Sequence, residues 1–288
     1  MKVKVYTLNA FGKTSEGGNP AGVVLETGDL SPEQMREVAA KAGFSETAFV
    51  ESSECADFRV RFFTPAGEVD LCGHATIATY SLMLMKGLIN VGKYSQETLA
   101  GQLNVNIRKD GRVFMEQSLP SFYEVLSGTE IAESLNIPEN VLNEELPIQI
   151  VSTGLKDILV PVRTLKDLHQ IHPDHLMVSE LSRTYNAVGY HVFTLETLSG
   201  STAHCRNFAP LYDIPEESAT GTSSGALACF LFRQGRAENT GNMIFEQGYS
   251  MNKPSEIFVE LATEGDRILR VLVGGKALST GEITVEIE

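Results

Sequence analysis

The stretch from Leu71 to Leu84, "LCGHATIATYSLML", decides how the rest of the chain can fold. From Ala75 onward it is a helix pattern that is apolar around most of its circumference, so a helix here must be covered on most sides. A curved sheet wrapped around the helix provides that cover. The start of the stretch is different, because Cys72, Gly73 and His74 are reactive or small residues at the N-terminus of a helix that the chain buries.

A second stretch repeats this organisation. Residues 61–82, "RFFTPAGEVDLCGHATIATYSL", and residues 206–231, "RNFAPLYDIPEESATGTSSGALACFL", share Arg-x-Phe-x-Pro and then pass through an acidic turn into an apolar helix. The distance from Glu51 to Arg61 equals that from Glu196 to Arg206. Self-similarity of this kind predicts two copies of one supersecondary unit. Their central helices are predicted at 74–86 and 222–233.

The length of 288 residues allows two cores of about 100–150 residues each. We therefore predict an α+β fold of two pseudo-symmetric domains, each a barrel-like curved β-sheet wrapped around a central apolar helix. Prolines punctuate the chain between about 119 and 147, so the domains are predicted at 1–118 and 119–288. The last strand, 281–288, is a candidate to return to the first domain.

The net charge of −14 excludes nucleic acid and anionic membranes as main partners, because such binding needs clustered Lys and Arg. No apolar run approaches the ~20 residues that span a bilayer, and the N-terminal "MKVKVYTLNAF" is typical of a first strand rather than a signal peptide. We expect a cytoplasmic protein. The four cysteines lack CxxC spacing, so reduced thiols and no structural zinc are expected.

The two helix starts are candidate anion sites, since the first amides of a helix lack intrahelical partners and carry the positive end of the dipole. Small residues at the start of a single helix are most simply interpreted as N-caps. The presence of two matched helix starts instead favours binding of a small carboxylate-bearing metabolite. In the first copy the small residue is Gly73, and in the second it is Gly221 within "GTSSG".

Glu46 in "GFSETAFV" (43–50) is a candidate general acid/base, although most glutamates at helix–strand turns are merely exposed. His74 is its candidate partner, or a histidine satisfied by local backbone. Glu217 either caps the second helix or faces the site. Cys72 is a candidate low-pKa thiol at a helix start, with a buried structural thiol favoured. The histidines of "HQIHPDH" (169–175) are interrupted by Pro173 and predict an exposed turn rather than a metal site.

Taken together, these motifs resemble the PhzF-like family, the phenazine-biosynthesis isomerase/epimerase-like proteins. The matching stretches keep their order along nearly the whole chain and are "GNPAGVV" (18–24), "GFSETAFV" (43–50), "RFFTPAGEVDLCGHATIA" (61–78), "STGLKDILVPV" (152–162), "RNFAP" (206–210) and "ESATGTSSGALACFL" (217–231). The resemblance implies the diaminopimelate epimerase fold, a site between the domains, and a homodimer.

The resemblance also implies acid/base chemistry without a cofactor or metal, in which Glu46 moves a proton between carbons of a small cyclic acid. His74 and Glu217 are implied as its catalytic partners. Asn19, Gly73, Gly221 and Thr222 are implied to bind substrate. Two departures are that Glu217 stands where the family commonly has Asp, and Thr222 where serine is frequent.

The leading hypothesis is therefore a PhzF-like isomerase that shuttles a proton through Glu46. One alternative is an epimerase or racemase that uses Cys72 with a carboxylate. Another is a non-catalytic metabolite-binding protein. A shared fold does not identify the substrate, and it does not establish a role in a phenazine pathway.

Overall fold

The computed structural model describes residues 1–237 and 239–288. Contacts divide these residues into two compact units. Unit 1 contains Met1–Glu116 and Gly274–Glu288, and unit 2 contains Gln117–Val273. More of the C-terminus therefore belongs to unit 1 than the strand 281–288 proposed from the sequence, because the whole last strand pairs with the first strand.

Unit 1 is built from a sheet and two helices. Its elements are β1 (Lys2–Ala10), β2 (Asn19–Val24), α1 (Pro32–Ala42), β3 (Thr47–Glu51), β4 (Phe58–Phe63), β5 (Glu68–Val69), α2 (Gly73–Met85), β6 (Gly92–Thr98), β7 (Gly101–Ile107), β8 (Val113–Gln117) and β18 (Ala277–Glu286). The antiparallel pairs are β18–β1, β1–β2, β3–β4, β4–β5, β6–β7 and β7–β8. The pairs β2–β3 and β4–β6 are parallel.

Unit 2 repeats this order of pairing. Its elements are β9 (Ser121–Leu126), α3 (Gly128–Ser134), β10 (Ile148–Ser152), β11 (Lys156–Pro161), α4 (Leu165–His169), α5 (His175–Thr184), β12 (Gly189–Thr194), β13 (Ala203–Ala209), β14 (Ile214–Glu217), α6 (Gly221–Arg233), β15 (Met243–Gln247), β16 (Ser255–Glu264) and β17 (Arg267–Gly275), which ends in unit 1. The antiparallel pairs are β9–β10, β10–β11, β12–β13, β13–β14 and β15–β16. The pairs β11–β12 and β13–β15 are parallel.

An ion pair at the same place in each unit supports the internal repeat. Arg61 donates two hydrogen bonds to Glu68, of 2.8 and 2.7 Å. Arg206 does the same to Glu216, at 2.9 and 2.8 Å. Each guanidinium also lies over the phenylalanine two residues further on. The shared Arg-x-Phe pattern in the sequence thus corresponds to the same local structure.

The central helices are α2 and α6, which begin one residue before the predicted starts. In α2 every residue from Ala75 to Met83 is buried, and in α6 every residue from Ser223 to Leu231 is buried. Helix α2 packs against strands β1, β2, β3 and β18, and α6 against β10, β11 and β16. Each unit therefore surrounds an apolar helix with sheet, as the all-round apolar pattern requires.

Three further features bear on the sequence predictions. His169 ends α4 and His175 begins α5, while His172 lies exposed between them. All four cysteines are free thiols. Within the described ranges, no helix combines the length and apolar character needed to cross a bilayer.

Candidate active site

The central helices differ from the other helices in how they begin. The N-cap side chains that accept a backbone hydrogen bond are those of Ser31, Ser127, Thr164 and Asp174, at α1, α3, α4 and α5. The N-caps of α2 and α6, Cys72 and Thr220, make no such bond. Neither helix has an acidic residue in its first turn. Their starts therefore keep the positive end of the dipole, which favours an anion there.

Glu46 is placed by the turn between α1 and β3. Helix α1 ends at Gly43, whose positive φ of 76° suits a residue without a Cβ. The carbonyl of Glu46 accepts a hydrogen bond of 3.1 Å from Gly22 N, which fixes the backbone beside β2. The side chain is 23% exposed. It is thus half-buried rather than fully solvated, unlike most glutamates in such turns.

The carboxylate of Glu46 faces His74 at the start of α2. Glu46 Oε2 lies 3.4 Å from His74 Nε2, and the His74 side chain is 10% exposed. At this distance the two groups are in electrostatic contact without a hydrogen bond, since Glu46 Oε2 has no hydrogen-bond partner among the described residues. The structure therefore brings together the two residues of unit 1 that the sequence singled out for acid/base chemistry.

Cys72 is the third reactive group at this helix start. Its side chain is 7% exposed, and Sγ lies 3.4 Å from His74 Nδ1. One donor atom from each of Glu46, Cys72 and His74 lies within 4.8 Å of the others. The thiol is therefore part of the same group of side chains rather than a distant core cysteine.

The two substrate-binding residues predicted in unit 1 are placed differently. A Cβ on Gly73 would meet only Met115 Sδ, at 4.0 Å, so the protein leaves open space beside this backbone. Asn19 is buried at the first position of β2, opposite Ala10 of β1. It lies on the strand whose Gly22 bonds the Glu46 carbonyl.

In unit 2 the corresponding helix start carries Glu217. Thr220 Oγ1 donates a hydrogen bond of 2.5 Å to Glu217 Oε2, which bends the carboxylate toward the N-cap of α6. Gln247 at the end of β15 accepts from Thr220 N at 3.1 Å and donates to the Glu217 carbonyl at 2.7 Å. Glu217 is thus held by the N-cap residue and by Gln247.

Gly221 and Thr222 form the first turn of α6 and are both half-buried. The Thr222 carbonyl accepts a hydrogen bond of 3.1 Å from Thr153 Oγ1. Thr222 stands where serine is commoner in the family. Its additional methyl group, Cγ2, faces Gly154, and a Cβ built on Gly154 would lie 3.6 Å from that methyl group.

Buried polar side chains form a hydrogen-bonded network next to the start of α6. Ser223 Oγ donates to Asp157 Oδ2 at 2.7 Å, and Asn207 Nδ2 lies 3.3 Å from Ser223 Oγ and 3.1 Å from His191 Nδ1. Burial raises the pKa of Asp157 to about 7; the hydrogen bond from Ser223 lowers it, and the nearby charge of Glu217 raises it. Burial lowers the pKa of His191 to about 3.

Sequence reasoning did not identify Gln247, Asp157 or Ser223 as part of this region. Asp157 lies inside the matching stretch "STGLKDILVPV", where an acidic residue before an apolar strand was an available signal. Ser223 lies in "GTSSG", but nothing local distinguishes it from its neighbours. Gln247 comes from a strand far along the chain, so only tertiary structure reveals its contacts with Thr220.

Comparison with known proteins identifies relatives of this chain. A sequence model of the family described as "Phenazine biosynthesis-like protein" matches residues 8–282. A protein from Bacillus subtilis named "Uncharacterized isomerase YfhB" is 35% identical over 289 residues, covering 98% of each chain. The trans-2,3-dihydro-3-hydroxyanthranilate isomerase of Pseudomonas chlororaphis is 28% identical, covering 96% of this chain and 97% of that one.

A solved structure agrees with the fold. The phenazine biosynthesis protein of the PhzF family from Bacillus anthracis matches with a TM-score of 0.90 at 32% identity, over 100% of both chains. The resemblance and the fold class inferred from the sequence are thereby confirmed.

Proposed function

This chain belongs to the phenazine biosynthesis-like protein family and is an isomerase, and we propose that it moves a proton between carbon atoms of a small carboxylate-bearing metabolite through Glu46. The observation that carries the proposal is the pairing of Glu46 with His74, 3.4 Å apart, beside an uncapped helix start. A base and an anion-binding group occur there together, which is what proton abstraction near a carboxylate requires.

The reaction needs no co-reactant. The Glu46 carboxylate takes a proton from one carbon of the substrate, the electron pair of that bond shifts along the carbon skeleton, and the protonated Glu46 returns the proton to another carbon. No atom is gained or lost. His74 orients the substrate beside the Glu46 carboxylate, and the open amides of α2 hold the substrate carboxylate beside Gly73.

We extend the proposal to Glu217, Gly221 and Thr222 as residues that serve the same reaction from unit 2. The support is the second uncapped helix start and the carboxylate of Glu217, which is held in place by Thr220 at 2.5 Å. Asn19 is assigned to substrate binding from the resemblance, and it lies buried at the start of β2.

Deuterium incorporation tests the proposal. Wild type, Glu46→Gln and the exposed control Glu54→Gln are incubated in heavy water with small cyclic and acyclic amino and hydroxy acids. The panel includes trans-2,3-dihydro-3-hydroxyanthranilate, the compound in the name of the Pseudomonas relative. Mass spectrometry is expected to show incorporation or rearrangement with wild type and Glu54→Gln only. Equal incorporation with Glu46→Gln would remove Glu46 from the mechanism.

The hydrogen bond between Cys72 and His74 favours one second candidate, an epimerase in which Cys72 is a base. The two candidates differ in one variant. The leading proposal predicts that Cys72→Ser changes turnover by less than about tenfold, whereas a catalytic thiol predicts a loss of several orders of magnitude. The non-catalytic alternative is contrary to the isomerase names of the relatives.

A homodimer and a cytoplasmic location remain proposals drawn from the resemblance and the composition. Light scattering coupled to size-exclusion chromatography tests the first: a mass of twice 31.4 kDa is expected. Cell fractionation tests the second.

A further inference from the structure

Glu46, Cys72 and His74 have a geometry that acid/base chemistry alone does not require. His74 Nε2 lies 3.4 Å from Glu46 Oε2 and 3.9 Å from Cys72 Sγ. The three donor atoms lie within 4.8 Å of one another. They therefore surround a common point rather than forming a line.

This triangle is close to one face of a tetrahedral metal site. Zinc bonds of about 2.3 Å to sulfur and about 2.0–2.1 Å to nitrogen and oxygen place neighbouring ligand atoms roughly 3.4–3.6 Å apart. The nitrogen–oxygen edge already has this length. Cys72 Sγ lies closer to His74 Nδ1, at 3.4 Å, than to Nε2, at 3.9 Å, so metal binding requires the imidazole or the thiol to turn until the sulfur faces Nε2. Three protein ligands leave the fourth position open to water or to a bound molecule.

The Glu46 carboxylate provides an independent observation. Its Oε2 atom is buried and has no hydrogen-bond partner of acceptable geometry within residues 1–237 and 239–288. A buried carboxylate oxygen without a donor is costly. His74 Nε2, at 3.4 Å, does not form a hydrogen bond with this oxygen. A bound cation would supply the missing partner.

Charge and ligand type favour a borderline-soft divalent cation. A thiolate and a carboxylate together carry two negative charges, which balance the two positive charges of a divalent cation. They also exceed the roughly half positive charge at the start of the helix, which would otherwise repel a cation. Thiolate and imidazole together select metals such as zinc over magnesium or calcium. The side chains of Glu46 and His74 remain partly exposed, so an ion can reach them.

We propose that Glu46 Oε2, Cys72 Sγ and His74 Nε2 form a site for a divalent cation of the zinc type. The cation is an inhibitor rather than a cofactor, because it occupies the oxygen that takes the proton. That consequence rests on the proposed function, whereas the binding of the metal does not. Micromolar zinc is expected to inhibit the enzyme reversibly, and a chelator such as EDTA is expected to restore turnover.

Cobalt(II) tests the site directly, since a thiolate ligand gives a charge-transfer band in the near ultraviolet and tetrahedral coordination gives intense visible bands. Titration of wild type with Co²⁺ is expected to show both. Cys72→Ser should lose the charge-transfer band, and Glu46→Gln should bind about tenfold or more weakly. The control Cys55→Ser removes an exposed thiol in the same unit and should leave the spectrum unchanged. Competition with Zn²⁺ should abolish the bands.

The outcomes separate the metal site from the proposed function. Absence of the bands in wild type, or full retention in Cys72→Ser, overturns the site whatever the enzyme does. Equal affinity of wild type and Glu46→Gln removes Glu46 as a ligand and overturns the three-residue site. Bands in a protein that shows no proton transfer on any substrate support the metal site and count against the proposed function alone.

Discussion

Ser223 donates a hydrogen bond of 2.7 Å to Asp157, which ties the first turn of α6 to strand β11 across 66 residues of sequence. Asp157 is 3% exposed, and burial raises the pKa of its carboxyl to about 7, so the protonated and ionised forms are both populated near neutral pH. The helix start that carries Gly221 and Thr222 thus rests on a buried group that titrates near neutrality.

Asp157 should make the stability of the protein depend on pH in a definite direction. The folded pKa of about 7 lies above the ordinary value of 3.8, so the folded state binds the proton more tightly than the unfolded state. Its contribution to stability is full below about pH 4 and is lost as the pH rises through 7. Asp157→Asn, which cannot ionise, should therefore raise the free energy of unfolding at pH 8 by a few kcal/mol, on the order of 1.4 per pKa unit.

Urea unfolding at pH 4, 6 and 8 checks this expectation. The gain from Asp157→Asn should shrink toward zero at pH 4. The control Asp213→Asn alters an exposed aspartate of the same unit and should show no such trend. A gain for Asp157→Asn that is independent of pH would contradict the titration of this carboxyl.

Glu246 should act in the opposite direction. Burial of this side chain favours the neutral form, but donors from Leu198 N, Ser199 and His204 outweigh it and lower the pKa of Glu246 to about 2. Its contribution to stability is present above the ordinary pKa of 4.5 and is lost as the pH falls toward 2. Glu246→Gln should therefore destabilise the protein by about 2–3 kcal/mol at pH 7 and by less at pH 3.

Glu97 supplies the matched control for that measurement, because it stands opposite Arg59 on β4 as Glu246 stands opposite His204 on β13. Glu97 is partly exposed. Glu97→Gln should change thermal stability little at any pH. Equal losses for the two variants would show that burial of Glu246 is not the reason for its effect.

Gly189 should tolerate no side chain. A Cβ there would lie 2.0 Å from the backbone oxygen of Phe208 and 2.9 Å from Ala209 Cα. Strands β12 and β13 would have to separate, so Gly189→Ala should lower the free energy of unfolding by about 3 kcal/mol or more. Gly67→Ala, where a Cβ meets no atom within 4 Å, should be close to neutral in the same denaturation experiment.

Glu217→Ala should lower isomerase turnover by about a hundredfold if unit 2 takes part in the reaction. Thr220→Val, which removes the hydrogen bond that holds the carboxylate, should have a smaller effect of about tenfold. Steady-state kinetics on the substrate found by deuterium exchange measures both. Full turnover in Glu217→Ala would confine the chemistry to Glu46 and His74.

The two central helices, the internal repeat and the family can be predicted from local patterns of residues. Local patterns carry this information: an all-round apolar helix has to be enclosed, and the paired Arg-x-Phe motifs form the same ion pair in each unit. Glu46 and His74 were also identified as candidates from short motifs, because unusual residues at a helix start and at a helix–strand turn are visible without tertiary structure.

Which side chains come into contact depends on the tertiary structure. The 3.4 Å approach of Glu46 to His74, the bond from Ser223 to Asp157 and the place of Gln247 beside Thr220 depend on how strands distant in sequence pair around each helix. The return of Gly274–Glu288 to unit 1 depends on the pairing of β18 with β1. Such contacts are set by the register of the sheet and by burial, which no local stretch of residues encodes.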